Sequence, residues 1–161
     1  MTFKPTTLRQ GDQWPTRGEP LFALITGPEG WATFLKQHRS SPEQWPAVDW
    51  EHNVVLVALM GGKRTGGFGI TITDLLRREN VVTVRVQERT PQPGEMVIQV
   101  LTSPYHVVTV PREAFPAGEF TLVFQSPSGV WQVKVPSLDQ DGVFRATRAA
   151  ELPGSNGDAT E

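Results

Sequence analysis

The chain has 161 residues, a length typical of one domain, and 38% of them are hydrophobic, which suffices for one ordinary core. Fifteen basic and 17 acidic residues give a net charge of −2, which argues against a dedicated nucleic-acid or membrane-surface protein because both need a basic excess. Because cysteine is absent, the sequence excludes disulfides, thiolate nucleophiles and cysteine-bound zinc.

The N-terminal part of the chain predicts one strand and one helix. Residues 1–18 are polar and rich in turn formers, so we expect them to be loosely held. The apolar run LFALIT, residues 21–26, predicts a strand. Proline and glutamate then suit a first helical turn, and Trp31, Phe34 and Leu35 share one helix face. We predict a helix at residues 28–38.

Apolar patterning predicts short strands through the rest of the chain. VVLVALM, residues 54–60, is apolar at every position, as expected for a central strand covered on both faces. Later segments alternate apolar and polar residues, which is typical of half-buried strands. Two of these segments, 68–74 and 81–87, are predicted to form a hairpin. The others are 105–110, 120–124 and 130–135, of which 130–135 is predicted to be the last strand. Residues 96–101 fit a strand or a helical turn.

The pattern as a whole predicts a mainly β, α+β fold with an antiparallel sheet, sandwich or barrel of about seven or eight short strands and one helix. We predict a single β-rich domain at 1–136 and a C-terminal tail at 137–161 that is disordered at its end. No stretch has the length and apolarity of a membrane span, and the N-terminus lacks the apolar run of a signal peptide. We therefore expect a cytoplasmic protein; a removed leader would instead allow a cell-envelope or secreted location.

The stretch GGKRTGGFG, residues 61–69, raises the question of phosphate binding. A P-loop ends in Gly-Lys-Ser/Thr and opens a helix, whereas here the lysine precedes the second glycine pair and a strand pattern follows. We interpret the stretch as a sharp turn between two strands, which can also contact a partner or an anion. Its cations, Lys63 and Arg64, are expected in water.

No residue pattern predicts catalysis or metal binding. His38, His52 and His106 lack the spacing of a metal site. No nucleophile motif surrounds Ser103, the serine nearest to His106 in sequence. We therefore predict that the chain is not an enzyme and that it has no catalytic residue, no metal and no cofactor.

Two stretches of the chain form a longer pattern. They are VVLVALMGGKRTGGFGITI from residue 54 and VVTVRVQERTPQPGEMVIQVLTSPYHVVTVPR from residue 81. An apolar strand, a G-x-R-x-T-G-G-aromatic turn, a hairpin and a T-x-P-Y segment follow one another. This combination resembles the C-terminal domain of the PrcB family of protease-complex subunits, with the best-matching core at residues 54–112.

The resemblance implies a non-catalytic bacterial accessory domain that associates with and stabilises a protease complex. The expected partner is therefore another protein, a protease, and not nucleic acid. The motif positions predict a contact surface made of Lys63, Arg64, Thr65, Gly66, Gly67, Phe68, Thr102, Pro104 and Tyr105. Two alternatives remain open: a module that inhibits a protease by inserting loops into its cleft, and a small-ligand-binding or enzymatic β scaffold.

Overall fold

The computed structural model describes residues 1–149. Within those residues, eleven strands accompany one α-helix, α1 at Pro28–Gln37. The strands are β1 Thr2–Phe3, β2 Thr6–Gly11, β3 Leu21–Ile25, β4 Asn53–Leu59, β5 Gly69–Arg78, β6 Val81–Arg89, β7 Tyr105–Pro111, β8 Phe120–Ser126, β9 Gly129–Val135, β10 Val143–Arg145 and β11 Thr147–Arg148. None of the helices described in residues 1–149 has the length and apolarity needed to cross a lipid bilayer.

The strands form two sheets that pack face to face. The outer sheet has the order β1-β5-β6-β8-β9-β11 and contains one parallel pair, β6 with β8. The central sheet has the order β10-β3-β4-β7-β2 and is antiparallel throughout. The predicted mainly β, sandwich-like α+β fold is confirmed, and neither sheet closes into a barrel in the part of the chain that the structure describes.

The central sheet is buried on both faces because α1 covers the side that the outer sheet leaves open. Along β4, Leu56 and its alternate neighbours pack into the core between the sheets. Val57 and the residues that alternate with that set pack instead against the helix side, with Trp31 and Phe34. This two-sided burial explains why β4 is apolar at nearly every position, as its sequence predicts.

Helix α1 ends within one residue of its predicted limits, and the packing face is the predicted one. Trp31, Phe34 and Leu35 are buried. The helix start carries a cap that its own sequence does not supply. The backbone N–H groups of Glu29 and Gly30 donate to the carboxylate of Asp141 at 3.0 and 2.8 Å, so a residue far along the chain satisfies two of the open donors of the first turn.

The N-terminal residues are not loosely held, which corrects the expectation for residues 1–18. Strand β2 pairs with β7 at the edge of the central sheet, and β1 pairs with β5 in the outer sheet. Trp14 is only 4% exposed and belongs to the helix-side core. The polar sequence of β2 suits an edge strand, and an edge strand lacks the apolar alternation by which the other strands are detected.

The chain after residue 136 also departs from expectation, because it contains two further strands. The predicted last strand, 130–135, is therefore β9 and is followed by β10 and β11. β10 pairs with β3 in the central sheet and β11 pairs with β9 in the outer sheet. Residues 143–148 therefore cross from the edge of one sheet to the edge of the other, and Phe144 packs against the core between them. The predicted disordered end lies outside the described residues from position 150 onward.

Two further predictions concern the middle of the chain. The hairpin of 68–74 and 81–87 is confirmed, although β5 continues to Arg78 and leaves a tight turn in which Glu79 has a φ of 56°. Residues 96–101 form neither a strand nor a helical turn. They belong to the long connection between β6 and β7.

The side chain of His106, in β7 of the central sheet, contacts the outer sheet at the unpaired edge of β5. β5 pairs with β1 only near Leu75 and Leu76, so its earlier residues have an open edge. There the N–H of Ile72 donates to Nδ1 of His106 at 2.8 Å, and Nε2 of His106 lies 2.8 Å from the hydroxyl of Thr7. Because Nδ1 accepts, the bound ring is neutral and carries its hydrogen on Nε2.

Burial lowers the pKa of His106 below its usual value. As the pH falls, the unfolded chain therefore takes up this proton before the folded chain does. The stabilisation is fully present above the unfolded pKa and is lost below it. We expect the free energy of unfolding to fall as the pH drops from about 6.5, the ordinary histidine value, through the lowered pKa of the folded chain, by at most about 1.4 kcal/mol per pH unit for this one proton.

The measurement is chemical denaturation across that pH range for the parent chain and for His106→Gln, whose amide keeps one acceptor and one donor but does not titrate. The pKa of His38 is also lowered, by burial and by Arg145, but that contribution is common to both proteins. The variant should show the shallower pH dependence. Identical slopes would contradict this assignment.

Candidate functional site

The glycine-rich segment, residues 60–68, connects the two sheets. It leaves β4 of the central sheet and enters β5 of the outer sheet. These strands flank the segment but are not neighbours, since β4 pairs with β3 and β7 whereas β5 pairs with β1 and β6. The predicted sharp turn between two strands is therefore a crossing between layers, because each flanking strand already has its hydrogen-bonding partners elsewhere.

Residues 102–104 hold the glycine-rich segment in place. Lys63 and Thr102 exchange both backbone hydrogen bonds, at 2.8 and 2.9 Å. The hydroxyl of Thr102 donates to the carbonyl of Thr65 at 2.8 Å, and the N–H of Met60 donates to the carbonyl of Pro104 at 3.0 Å. Two parts of the predicted contact surface are thus adjacent because they bind each other.

Gly67 occupies a position that no other residue fits. Its φ is 91°, and an added Cβ would lie 2.8 Å from Cγ1 of Val97 and 2.9 Å from Cγ of Pro91. Gly66 differs: an added Cβ would lie 3.7 Å from Ile98, an ordinary contact distance. The second glycine of the pair thus allows the β6–β7 connection to approach the glycine-rich segment closely.

We expect Gly67→Ala to lower the free energy of unfolding by about 1–3 kcal/mol, because it combines a disfavoured φ with a steric clash. Gly66→Ala is the matched control and should cost less than about 1 kcal/mol. Chemical denaturation of both variants measures the difference. Equal losses at the two positions would contradict the role given to Gly67.

The predicted contact residues divide by exposure. Thr102 and Tyr105 are 1% and 9% exposed, and Pro104 is also buried. Thr102 and Pro104 hydrogen-bond the glycine-rich segment, and Tyr105 packs in the helix-side core, so the side chains of these three predicted residues offer little surface to a partner. Gly66 is buried as well, whereas Arg64 is exposed. The other predicted residues are partly exposed; they are Lys63, Thr65, Gly67 and Phe68.

A cation of the glycine-rich segment, Lys63, lies beside the ring of Phe68. Nζ of Lys63 is 5.3 Å from the centre of that ring, within the range of a cation–π contact. Within residues 1–149, neither Lys63 nor Arg64 has a carboxylate within 4.0 Å. Arg17 adds a third cation nearby, since its guanidinium donates to the carbonyls of Thr102 and Lys63. This rim of the glycine-rich segment is therefore positively charged.

Next to the rim lies an exposed apolar segment that the sequence analysis did not predict as a site. Residues 96–101, MVIQVL, are here named the apolar segment. Met96 is 95% exposed, Ile98 72% and Leu101 57%. The N–H of Gly66 donates to the carbonyl of Ile98 at 2.9 Å, which fixes the apolar segment against the glycine-rich one. The signal in the sequence was an apolar run whose pattern fits both a strand and a helical turn.

The start of the connection is held by ionic contacts. Arg89 donates to the carboxylate of Glu95 at 2.7 Å and to the carbonyl of Gly67. The N–H of Gln92 donates to the same carboxylate at 2.8 Å, and that backbone hydrogen bond, together with Arg89, lowers the pKa of Glu95. The turn that precedes the apolar segment is thus ordered, and the segment emerges from it in a defined direction.

Two other clusters carry polar chemistry. Asp49, Glu51 and His52 place ligand-type atoms within 4.8 Å of one another on an exposed turn. There the hydrogen bond from His52 to Asp49, 2.8 Å long, raises the pKa of the histidine. A cavity of about 200 Å³ lies between Trp14, His38 and Ser103 and neighbouring residues. Neither Tyr105 nor His106 lines this cavity.

The family comparison bears on the same region. The family model described as PrcB C-terminal matches residues 54–111. This match confirms the resemblance predicted from the sequence, over a little more than a third of the chain. The matched residues span β4 and β7 of the central sheet, β5 and β6 of the outer sheet, and both the glycine-rich and apolar segments. Searches of curated proteins and of solved structures gave no match.

Proposed function

We propose that this chain is a non-catalytic protein-binding domain that associates with a protease complex. The observation that carries the proposal is the exposed apolar segment at 96–101, which lies within the matched residues 54–111. Four of its side chains are among the large hydrophobic residues most exposed on the chain: Met96, Ile98, Val100 and Leu101. A contiguous exposed apolar patch with a polar rim is the usual mark of a protein interface.

The protease partnership is supported by the family to which residues 54–111 are similar, since PrcB-like domains are accessory subunits of protease complexes. The contact surface is the apolar segment with the exposed part of the glycine-rich rim, Lys63, Arg64 and Phe68. The buried Thr102 holds the glycine-rich segment through its hydrogen bonds to Lys63 and Thr65. The sequence prediction of a contact surface is thus retained in part and moved toward residues 96–101.

The inhibitor-like alternative is favoured by one specific feature. The backbone from Glu95 to Gln99 contains neither a turn nor a bend and belongs to no strand. Exposed extended segments are well suited to enter clefts that bind extended peptides. Activity of the partner separates the two roles, because an accessory domain leaves the protease active and an inhibitor blocks it at equal concentration.

The test is affinity capture with the whole chain from its native lysate, followed by mass spectrometry and a peptidase assay on the recovered complex. We expect a peptidase subunit to be recovered in active form. Ile98→Asp combined with Leu101→Asp should reduce its recovery at least about tenfold, since burying either carboxylate in an interface is costly.

The matched control is Val81→Asp, a charge placed at an exposed apolar residue outside the proposed surface, where Val81 is 37% exposed. It should recover the same peptidase as the parent chain. Equal recovery with the double variant would contradict the proposed surface. Loss of peptidase activity at stoichiometric amounts of the parent chain would favour the inhibitor-like role.

A further inference from the structure

We infer that the apolar segment binds its partner by strand addition: an extended stretch of the partner, apolar with acidic residues, pairs with the backbone of residues 96–99. This inference rests on the proposed protein-binding function and specifies how the binding occurs. In this mode main-chain hydrogen bonds give affinity, and alternate side chains together with nearby charges give specificity.

The backbone N–H groups of this segment are free to pair, and residues 95–99 contain neither a turn nor a bend. Within the described residues, no N–H between positions 96 and 101 donates to another protein group. The carbonyl of Ile98 accepts from Gly66. Backbone groups of an extended chain alternate in direction, so pairing of this stretch as a strand would turn the N–H and carbonyl of Val97 and Gln99 away from Gly66. These groups form a free edge that a partner strand can pair with.

Three alternate side chains of the segment are apolar and exposed. Met96, Ile98 and Val100 are 95%, 72% and 44% exposed. Val97 lies close to Gly67. The segment therefore offers a row of exposed apolar side chains next to the free edge. A paired partner strand would place its own apolar residues beside this row.

The charges around the segment select the partner's chemistry. Lys63 and Arg64 border it without a carboxylate partner among the described residues, and Arg17 lies beside them. An acidic partner segment would neutralise these cations at the rim. Pairing with the same segment of a second copy would instead bring two sets of cations together, so the charges disfavour self-association.

Gln99 provides the decisive variant. Its side chain is exposed and makes no hydrogen bond within residues 1–149. Gln99→Pro removes a backbone donor from the free edge while every apolar side chain remains, and Gln99→Ala removes the same side chain but keeps the donor. The two variants separate strand pairing from simple apolar contact. Thermal denaturation of both confirms that the domain is folded.

A random-peptide library displayed on phage is selected against the whole parent chain, and enriched peptides are synthesised for affinity measurements. We expect sequences in which apolar residues alternate with other residues and in which Asp and Glu are frequent. They should bind the parent chain and Gln99→Ala equally, and a folded Gln99→Pro at least about tenfold more weakly. Failure to enrich any peptide, or equal binding to Gln99→Pro, would overturn strand addition.

The charge requirement is tested with Lys63→Glu combined with Arg64→Glu. This variant should weaken binding of the selected peptides at least about tenfold at low salt. Arg78→Glu combined with Lys134→Glu is the matched control, since both residues are exposed and lie outside the surface. Equal effects of the two double variants would overturn the acidic specificity.

Two other occupants are outcomes of the same design. If the chain forms a concentration-dependent dimer and Gln99→Pro dissociates it, the occupant of the free edge is a second copy of this chain and not another protein. If the chain co-sediments with phosphatidylcholine–phosphatidylserine vesicles, and Ile98→Asp abolishes this binding whereas Gln99→Pro does not, the occupant is a membrane surface. The proposed function fails separately: it falls if the parent chain captures no peptidase, its surface falls if Ile98→Asp with Leu101→Asp still captures the peptidase, and only strand addition falls if Gln99→Pro captures it normally.

Discussion

A chain that ends at Pro136 is expected to lose its cooperative unfolding transition at room temperature. The truncation removes β10 and β11, which bridge the edges of the two sheets. It also removes three side chains that pack against the core between the sheets, Leu138, Phe144 and Ala146, and the carboxylate of Asp141 that caps α1. The combined loss should exceed about 5 kcal/mol, which is comparable to the whole stability of a small domain.

Circular dichroism and chemical denaturation of the truncated and full chains measure this effect. Phe144→Ala in the full chain should produce a partial loss of about 1–3 kcal/mol, because this ring is only partly buried. Asp139→Ala is the control for substitutions in the segment; its exposed carboxylate makes no hydrogen bond within residues 1–149. If the truncated chain is as stable as the full chain, the result supports the domain boundary at residue 136 that the sequence predicted.

Replacement of Arg112 by methionine should lower the free energy of unfolding by about 2–4 kcal/mol, because it leaves three carbonyl groups without a donor. The guanidinium donates to the carbonyls of Trp50, Leu138 and Thr26 at 2.9, 3.2 and 2.7 Å. These residues lie on the loop before β4, on the C-terminal segment and at the end of β3. One planar cation therefore ties together three segments that are distant in sequence.

Arg112→Lys distinguishes geometry from charge, since a lysine ammonium does not reproduce the fork that bonds three carbonyls at once. We expect Arg112→Lys to keep only part of the stability that Arg112→Met loses. Arg78→Met is the matched control at an exposed arginine without side-chain hydrogen bonds in the described part of the chain, and it should change stability by less than about 0.5 kcal/mol. If Arg112→Met lowers the free energy of unfolding no more than Arg78→Met does, the stabilising role given to Arg112 is contradicted.

The candidate surface was predictable from the sequence only in part. The double glycine marked the place where two segments approach closely, and the structure locates that approach at Gly67 and Val97. The motif did not reveal which of its residues are accessible. Thr102 has a polar side chain and Tyr105 opens a predicted strand, and the structure buries both of them by hydrogen bonding and packing.

The apolar segment shows the opposite error. Its residues have the composition of a strand, and composition alone favours burial. The structure leaves them exposed because the chain between the turn at Pro93–Gly94 and the bridge at Thr102 has no neighbouring strand on its open edge. Whether an apolar run is covered depends on the neighbours that the topology supplies, and periodicity carries no such information.

The sequence by itself determined the local elements: helix α1, the strands with strong apolar alternation, and the hairpin of β5 and β6. These depend on which residues share a face over a few positions, which the periods of the helix and the strand make readable. Tertiary structure alone decided which strands became neighbours, that residues 2–11 and 143–148 complete the two sheets, and that Asp141 caps a helix more than a hundred residues earlier. Those pairings follow from long-range packing and from satisfying distant backbone groups, so the short polar segments that make them have no local pattern of their own.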